Sequence, residues 1–375
     1  MKKLTKTISI LVLLGIMVGM LAACAPKAVD KPETPSVEEP AVEAPEETGA
    51  PFTIGVSNPF ISSEYRTQMI DNLITINEEY KALGLTKDLV IENFDTDVAG
   101  QIEQIENLIN AGVDAMLVNP GDAVALNQIL EEAVNMGILV FSIDQEIEAK
   151  GVINVGHNQY EWARISAAWL AENLKEGNVV QIEGFIGHPA NDLRMAAVAD
   201  VFSDYPGIKV LASESGFWDE ATGQQVMSDF LAAYPNIDGY WTQDGMAIGA
   251  LEAIIAANPD PLPLGVGEAR VKFLQLWAEM LKKDPDYKTI AVANAPGVNA
   301  TALRIAVEML LGKELDKSIL SGQFGSTVVI DVPIVVTPEN FDEVYKEYGA
   351  SGKYPDSYLL DGIMTRDEVL KAFFK

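Results

Sequence analysis

From Phe52 onward the chain alternates between two hydrophobic rhythms, one helical and one of short continuous apolar runs. Ile102, Ile105, Leu108 and Ile109 recur at spacings of three and four, and Gly112 then stops the predicted helix. Val113-Asp114-Ala115-Met116-Leu117-Val118 follows as a buried strand that ends at Asn119. The unit repeats at once. Leu126, Ile129, Leu130, Ala133 and Val134 form a helical stripe, Gly137 closes it, and Ile138 to Ile143 gives the next strand, ending at Asp144. The same grammar returns through residues 167–182, 226–241 and 251–264. Helices alternating with short apolar strands predict right-handed βαβ crossovers and parallel sheets covered on both faces. So many strands exceed what one sheet absorbs, so an α/β protein of two lobes is expected over about residues 52–375.

The first fifty residues follow other rules. Lys2, Lys3 and Lys6 precede an apolar stretch from Ile8 to Met20, and Leu21-Ala22-Ala23-Cys24 closes it. A basic start, a short apolar core and small residues at the cut describe a secretory signal over 1–23. The tetrad resembles the bacterial lipobox, in which the cysteine thiol is lipidated, so Cys24 is the expected anchor; a bare signal peptide is the competing reading. Residues 24–51 are nearly all Ala, Pro, Glu, Val and Thr, an acidic spacer too poor in apolar groups to offset its own chain entropy. This places the globule outside the cytoplasmic membrane, tethered by lipid, as an expected monomer.

Composition then removes several functions. Cys24 is the only cysteine, so its lipidation leaves no thiol for disulfides, nucleophilic catalysis or metal binding. Only His157 and His188 remain as imidazoles, and they show no ligand spacing, so no metal and no cofactor is expected. A net charge of −29 argues against nucleic acid or anionic lipid as a partner.

In doubly wound sheets, ligands sit beyond the carboxyl ends of the strands. The residues at those points are Ser57-Asn58-Pro59-Phe60, Asp95, Asn119, Asp144-Gln145, 184–188, Trp218, Gln243-Asp244, Glu268-Ala269-Arg270 and Asn294. No Gly-x-Gly-x-x-Gly, phosphate-loop or Gly-x-Ser-x-Gly pattern follows a strand. Carboxylates and amides suit vicinal hydroxyls, and aromatic faces suit the C–H side of a sugar ring.

On these residues the globule resembles the pentose/hexose-binding proteins of bacterial sugar uptake, the group that includes the ribose-binding protein. The carriers are residues 54–60, 117–120, 141–144, 184–187 with Arg194, 243–251, and 290–296. The resemblance implies two Rossmann-like, doubly wound parallel-sheet lobes joined by three hinge crossings, the type I periplasmic binding fold. Crossings are expected near Gly156, Ala295 and Asp331, giving one lobe of 52–156 plus 296–330 and another of 157–295 plus 331–375. It further implies that Asn58 and Phe60 line the first lobe's rim, that Asp144 accepts from two hydroxyls, and that Arg194 donates a fork from the second lobe. Trp218 would stack on the ring, with Gln243 or Asp244 and Asn294 completing the contacts. Ile61 stands where the family has a second aromatic, Gln145 where it has an arginine, and Glu268 where it has an aspartate, so ribose itself is not implied.

Each position has a plainer alternative. Asp144 and Asp244 are candidates for turn and helix caps, and Arg194 for a surface ion pair. Phe217 is the better core residue beside Trp218, and Trp162 and Trp169 read as packing. The leading reading is a lipoprotein of an ABC-type importer that captures a monosaccharide or small polyol and hands it to a permease, making and breaking no bond. The alternative is a sensory lipoprotein feeding a chemoreceptor or kinase. An exported glycoside hydrolase is a third, with Asp144 and Asp244 as its carboxylate pair.

Overall fold

A computed structural model describes residues 49–61 and 64–375. The expected signal, Cys24 and all but the end of the acidic segment lie outside the described residues. Two six-stranded sheets organise the rest.

The first sheet contains β1 (Ile54–Asn58), β2 (Val90–Asn93), β3 (Ala115–Val118), β4 (Leu139–Ile143), β5 (Ile153–His157) and β11 (Thr327–Ile330), in the order β11-β5-β4-β3-β1-β2. Every pairing in it is parallel, with Ser57 beside Val118 and Ile143 beside Val155. All five residues of β1 and all four of β3 are buried, which is why these strands read as continuous rather than alternating. Helices α2 (Val98–Asn110) and α3 (Asn127–Asn135) cover one face, and α1 (Glu64–Ala82) and α9 (Val298–Leu310) the other. The start of α2 is fixed by Asp97, whose carboxylate accepts from the Gly100 amide at 3.0 Å. Its inward Ile105 and Leu108 are fully buried, each contributing about 1.5–3 kcal/mol.

The second sheet takes β6 (Glu176–Glu183), β7 (Gly207–Ser215), β8 (Gly239–Thr242), β9 (Leu264–Glu268), β10 (Thr289–Val292) and β12 (Val335–Val336), in the order β12-β10-β9-β8-β6-β7. Only the short edge strand β12 runs antiparallel, against β10. Helices α4 (Gln159–Leu174) and α5 (Pro189–Ser203) pack on one face. Helices α6 (Glu220–Ala233), α7 (Met246–Ala257) and α8 (Val271–Lys283) pack on the other.

The chain leaves the first lobe after β5, returns between β10 and α9, and leaves again between β11 and β12. His157 stands where these passages meet, its ring nitrogens 3.3 Å from the Ile330 carbonyl and 3.1 Å from the Ala295 carbonyl.

The C-terminal stretch requires a correction. The expectation gave all of 331–375 to the second lobe, and the short helix α10 (Phe341–Val344) does pack there against Trp277. Beyond Asp361 the chain crosses a fourth time. Val369, Phe373 and Phe374, on and after α11 (Arg366–Phe373), are buried in the core of the first lobe with α9. The cause is apolar spacing on α11 that matches an uncovered face beside α9, tied by Arg366 to the buried Glu308 at 2.5 Å.

Candidate ligand-binding cleft

The carboxyl ends of both sheets face one gap, and the tight turns there hold several residues in uncommon backbone conformations. Asp144 (φ 71°), Phe217 (φ 56°), Trp218 (φ 57°) and Asp244 (φ 47°) all adopt positive φ. Asp tolerates this region, whereas two consecutive aromatic residues there store strain that must be offset by their surroundings.

In the second lobe, Arg194 projects from α5 and is 2% exposed, which removes the surface-pair alternative. Its Nη1 lies 2.6 Å from an Asp244 carboxylate oxygen and its Nε donates to Gln159 at 2.8 Å. The guanidinium lies over the Trp162 ring at 4.2 Å, so that tryptophan packs and also holds the arginine in place. Asn294 donates to the other Asp244 oxygen at 3.3 Å. Asp244 is therefore not the side-chain cap of α7: Gly245 occupies the cap position, with no side-chain cap bond. Trp218 donates through its indole N–H to Gln243 at 2.9 Å, and its ring meets Phe185 and His188 edge-on. Gly184 makes this seat, because a Cβ there would collide with the indole. Phe217, expected in the core, is 51% exposed; the two positive-φ residues turn Trp218 inward and leave Phe217 on the rim.

In the first lobe, Asp144 makes no cap. Arg66 approaches one carboxylate oxygen at 3.1 Å and the Tyr65 hydroxyl donates to the other at 3.1 Å. Both partners belong to α1, away from the strand ends to which the sequence points, and so were missing from the expected site. Asn58, buried at the end of β1, donates to Asn93 at 2.6 Å and to the Phe60 carbonyl. Phe60 itself is 41% exposed at the rim and joins none of these networks through its ring. Gln145 lines a cavity of about 140 Å³ with Asp144, His157, Gln159 and His188.

The halves meet electrostatically. Burial and the Asp144 charge push the Tyr65 phenol well above its usual range, with a further contribution from Asp244 across the gap. Burial holds His188 below the ordinary imidazole value; the Asp144 charge opposes that, while Arg194 and Arg66 add to it. His188 also caps α5, accepting from the Ala190 amide at 3.2 Å. Glu64 of the first lobe reaches Arg270 of the second at 2.8 Å. Arg270 in turn lies 2.7 Å from Glu268, out of hydrogen-bonding alignment. Burial pushes Glu268 up to about 7, against the lowering effect of Arg270.

Two amide side chains at strand ends keep buried acceptor oxygens with no protein donor: Asn58 Oδ1 and Asn294 Oδ1. Such orphans are costly unless a donor arrives. Among the described residues no cluster of His, Cys, Asp or Glu is placed to hold a metal ion, and no helix is long and apolar enough to cross a membrane.

The periplasmic binding protein domain model matches residues 54–314. The chain belongs to that family. It is 28% identical over 321 residues to the ribose import binding protein of Bacillus subtilis, covering 84% of this chain and 96% of that one. A solute-binding protein of an ABC transporter from Actinobacillus succinogenes, solved with bound D-allose, superposes with a TM-score of 0.65 at 26% identity, over 78% of this chain and 99% of the other. Another from Thermobispora bispora gives a TM-score of 0.71 at 23% identity over 85% and 94% of the two chains, a likeness of fold alone. The family is one of extracytoplasmic solute-binding proteins rather than of enzymes.

Proposed function

We propose that this periplasmic binding protein captures a neutral monosaccharide or related small polyol between its lobes and delivers it to an ABC-type permease from a lipid anchor at Cys24. The observation that carries the reading is the pair of buried amide acceptors, on Asn58 and Asn294, that the protein leaves without donors. A polyol brings the hydroxyl hydrogens they lack. The charges agree: Asp144 and Asp244 are each matched by an arginine, Arg66 and Arg194, so neither carboxylate leaves an unbalanced charge at the gap, which favours an uncharged guest. An indole seated beside these groups suits the apolar face of a ring. The relatives supply the class, since one binds ribose for import and a solved neighbour holds D-allose.

Function follows from the hinge. A ligand touching both lobes has more contacts in the closed form, so it shifts the population toward closure by its differential affinity. The permease distinguishes that closed surface. Isothermal titration against pentoses, hexoses and polyols tests the reading: at least one should bind tightly to the native protein and none to Asp144→Ala. A protein that takes up no member of the panel overturns it. Labelling by a radioactive fatty acid, lost in Cys24→Ser, tests the anchor separately.

A further inference from the structure

Of the ion pairs among the described residues, only Glu64 with Arg270 joins one lobe to the other, at 2.8 Å. Glu64 opens α1 with its side chain 57% exposed, whereas the Arg270 side chain is 10% exposed and lies against Glu268 of its own lobe. The C-terminal segment fixes Arg270 from outside. Its backbone bridges antiparallel to Leu359, and the next two amides donate to Tyr358 and Asp356. Lys272 is taken by Glu220 and Glu252 at 2.5 and 2.9 Å, which leaves Arg270 as the partner for Glu64. An open hollow of about 440 Å³ surrounds the pair, lined by Glu64 from the first lobe and by Glu220, Lys272 and Asp356 from the second. Glu64 does not line the cavity shared by Asp144, Gln145 and His188.

We infer that Glu64 is a positioning residue for capture, a latch that favours the closed lobes through Arg270 without touching the ligand. The pair joins protein to protein, so nothing in the device depends on which solute fills the cleft. Opening carries the Glu64 carboxylate into water and leaves Arg270 beside Glu268, so neither charge is stranded. A pair with one half-exposed partner shifts an open–closed balance by about threefold, enough to bias it and too little to lock it. Apparent affinity rises with the closed fraction, so the bias acts on every ligand alike. A residue touching the ligand would instead discriminate among ligands. The hollow also admits counterions, so the latch weakens with salt even when the guest is neutral.

Spin labels on Val124→Cys and Ile186→Cys, one beyond β3 and one beyond β6 and both 73% exposed, report the gap width in the full chain carrying Cys24→Ser. The native sequence, Glu64→Gln and Glu64→Lys are compared in this background without sugar, at about 0.05 M and about 1 M salt. At low salt the closed-to-open ratio should fall by about threefold in Glu64→Gln. It should fall by about tenfold in Glu64→Lys, where an ammonium faces Arg270. High salt should bring the native protein to the Glu64→Gln distribution and leave Glu64→Gln unchanged. Calorimetry with D-ribose, D-allose and xylitol should show one common factor for every sugar that binds. A mere helix-start role for Glu64 would alter the melting temperature and not the gap width. Label distances that match in all three proteins overturn the inference, even where sugar binds. Factors that differ from sugar to sugar overturn it as well, since Glu64 would then touch the ligand. A native protein that binds no sugar overturns the receptor reading alone, and the label distances still decide the latch.

Discussion

The Arg194 guanidinium lies 2.6 Å from the Asp244 carboxylate in a setting where the arginine is 2% exposed, so each charge is the other's main compensation. Removing one partner of such a pair costs more than the pair contributes, because the survivor stays buried and unmatched. Arg194→Ala should therefore weaken sugar binding by about 2–5 kcal/mol and also lower thermal stability. Arg194→Lys should recover stability more than affinity, since an ammonium balances Asp244 but cannot reach Gln159 and Gln243 as a fork. Parallel calorimetry and thermal melts separate the two losses.

Gly184 offers a cleaner test, for its replacement leaves every polar group in place. A methyl there must push the Trp218 indole from its seat and break its bond to Gln243. Gly184→Ala should reduce affinity by about tenfold or more. The accompanying loss of stability should stay within about 1–3 kcal/mol, the range for overpacking. Gly245→Ala is the control, because its methyl meets nothing closer than 3.6 Å. Ligand-induced change in tryptophan fluorescence should fade in the first variant and persist in the second.

Buried Glu268 predicts a pH dependence with a definite sign. Its folded value of about 7 stands above the unfolded glutamate value of about 4.3, so the folded state holds the proton more tightly. Its contribution to stability is fully present below about pH 4.3 and is lost as pH rises through about 7. Within that window the native protein should lose stability by on the order of 1.4 kcal/mol per pH unit. Glu268→Gln, which cannot titrate, should flatten this decline. Urea denaturation at half-unit pH steps reads this directly, and parallel slopes for the two proteins would refute the assignment.

The legible part of this cleft is what topology guarantees. A parallel strand must release its chain at the carboxyl end, so Asp144, Gln243, Asp244, Glu268 and Asn294 were readable as soon as the strands were. Tyr65 and Arg66 were not, because on α1 they sit next to Met69 and Ile70 with no feature separating a cleft-facing turn from a solvent-facing one. Phe217 was misplaced for a related reason: two consecutive positive-φ residues turn it out to the rim, and hydrophobicity carries no record of φ. The apolar spacing of Val369 and Phe373 marks an amphipathic helix but does not say which of two similar lobes offers the complementary face.

That last ambiguity gives the fourth crossing a testable consequence. Residues 356–360 run beside the end of β9, where the amides of Val271 and Lys272 donate to Tyr358 and Asp356 and the Leu360 amide donates to Ala269. Gln68 of α1 then grips Leu359 through both of its backbone groups, at 3.0 and 2.8 Å. Asp361 takes the Gly297 amide at 2.7 Å, together with Asn72 and Gln68. Beyond this strap, Phe373 is 6% exposed in the core of the first lobe. Phe373→Ala should cost about 3–5 kcal/mol of folding stability, the usual loss for a buried phenylalanine. Its place in the core of the first lobe, outside the proposed ligand contacts, predicts affinity within about threefold of native, since surviving folded molecules keep Asp144, Arg194 and Trp218 in place. Gln68→Ala should do the reverse, sparing the core and loosening the join between α1 and the segment beside Arg270. Its stability loss should stay near the about 1 kcal/mol of ordinary hydrogen bonds, while the closed population falls. Small-angle scattering with and without ligand distinguishes the two: a compact, destabilised Phe373→Ala against a stable, more open Gln68→Ala.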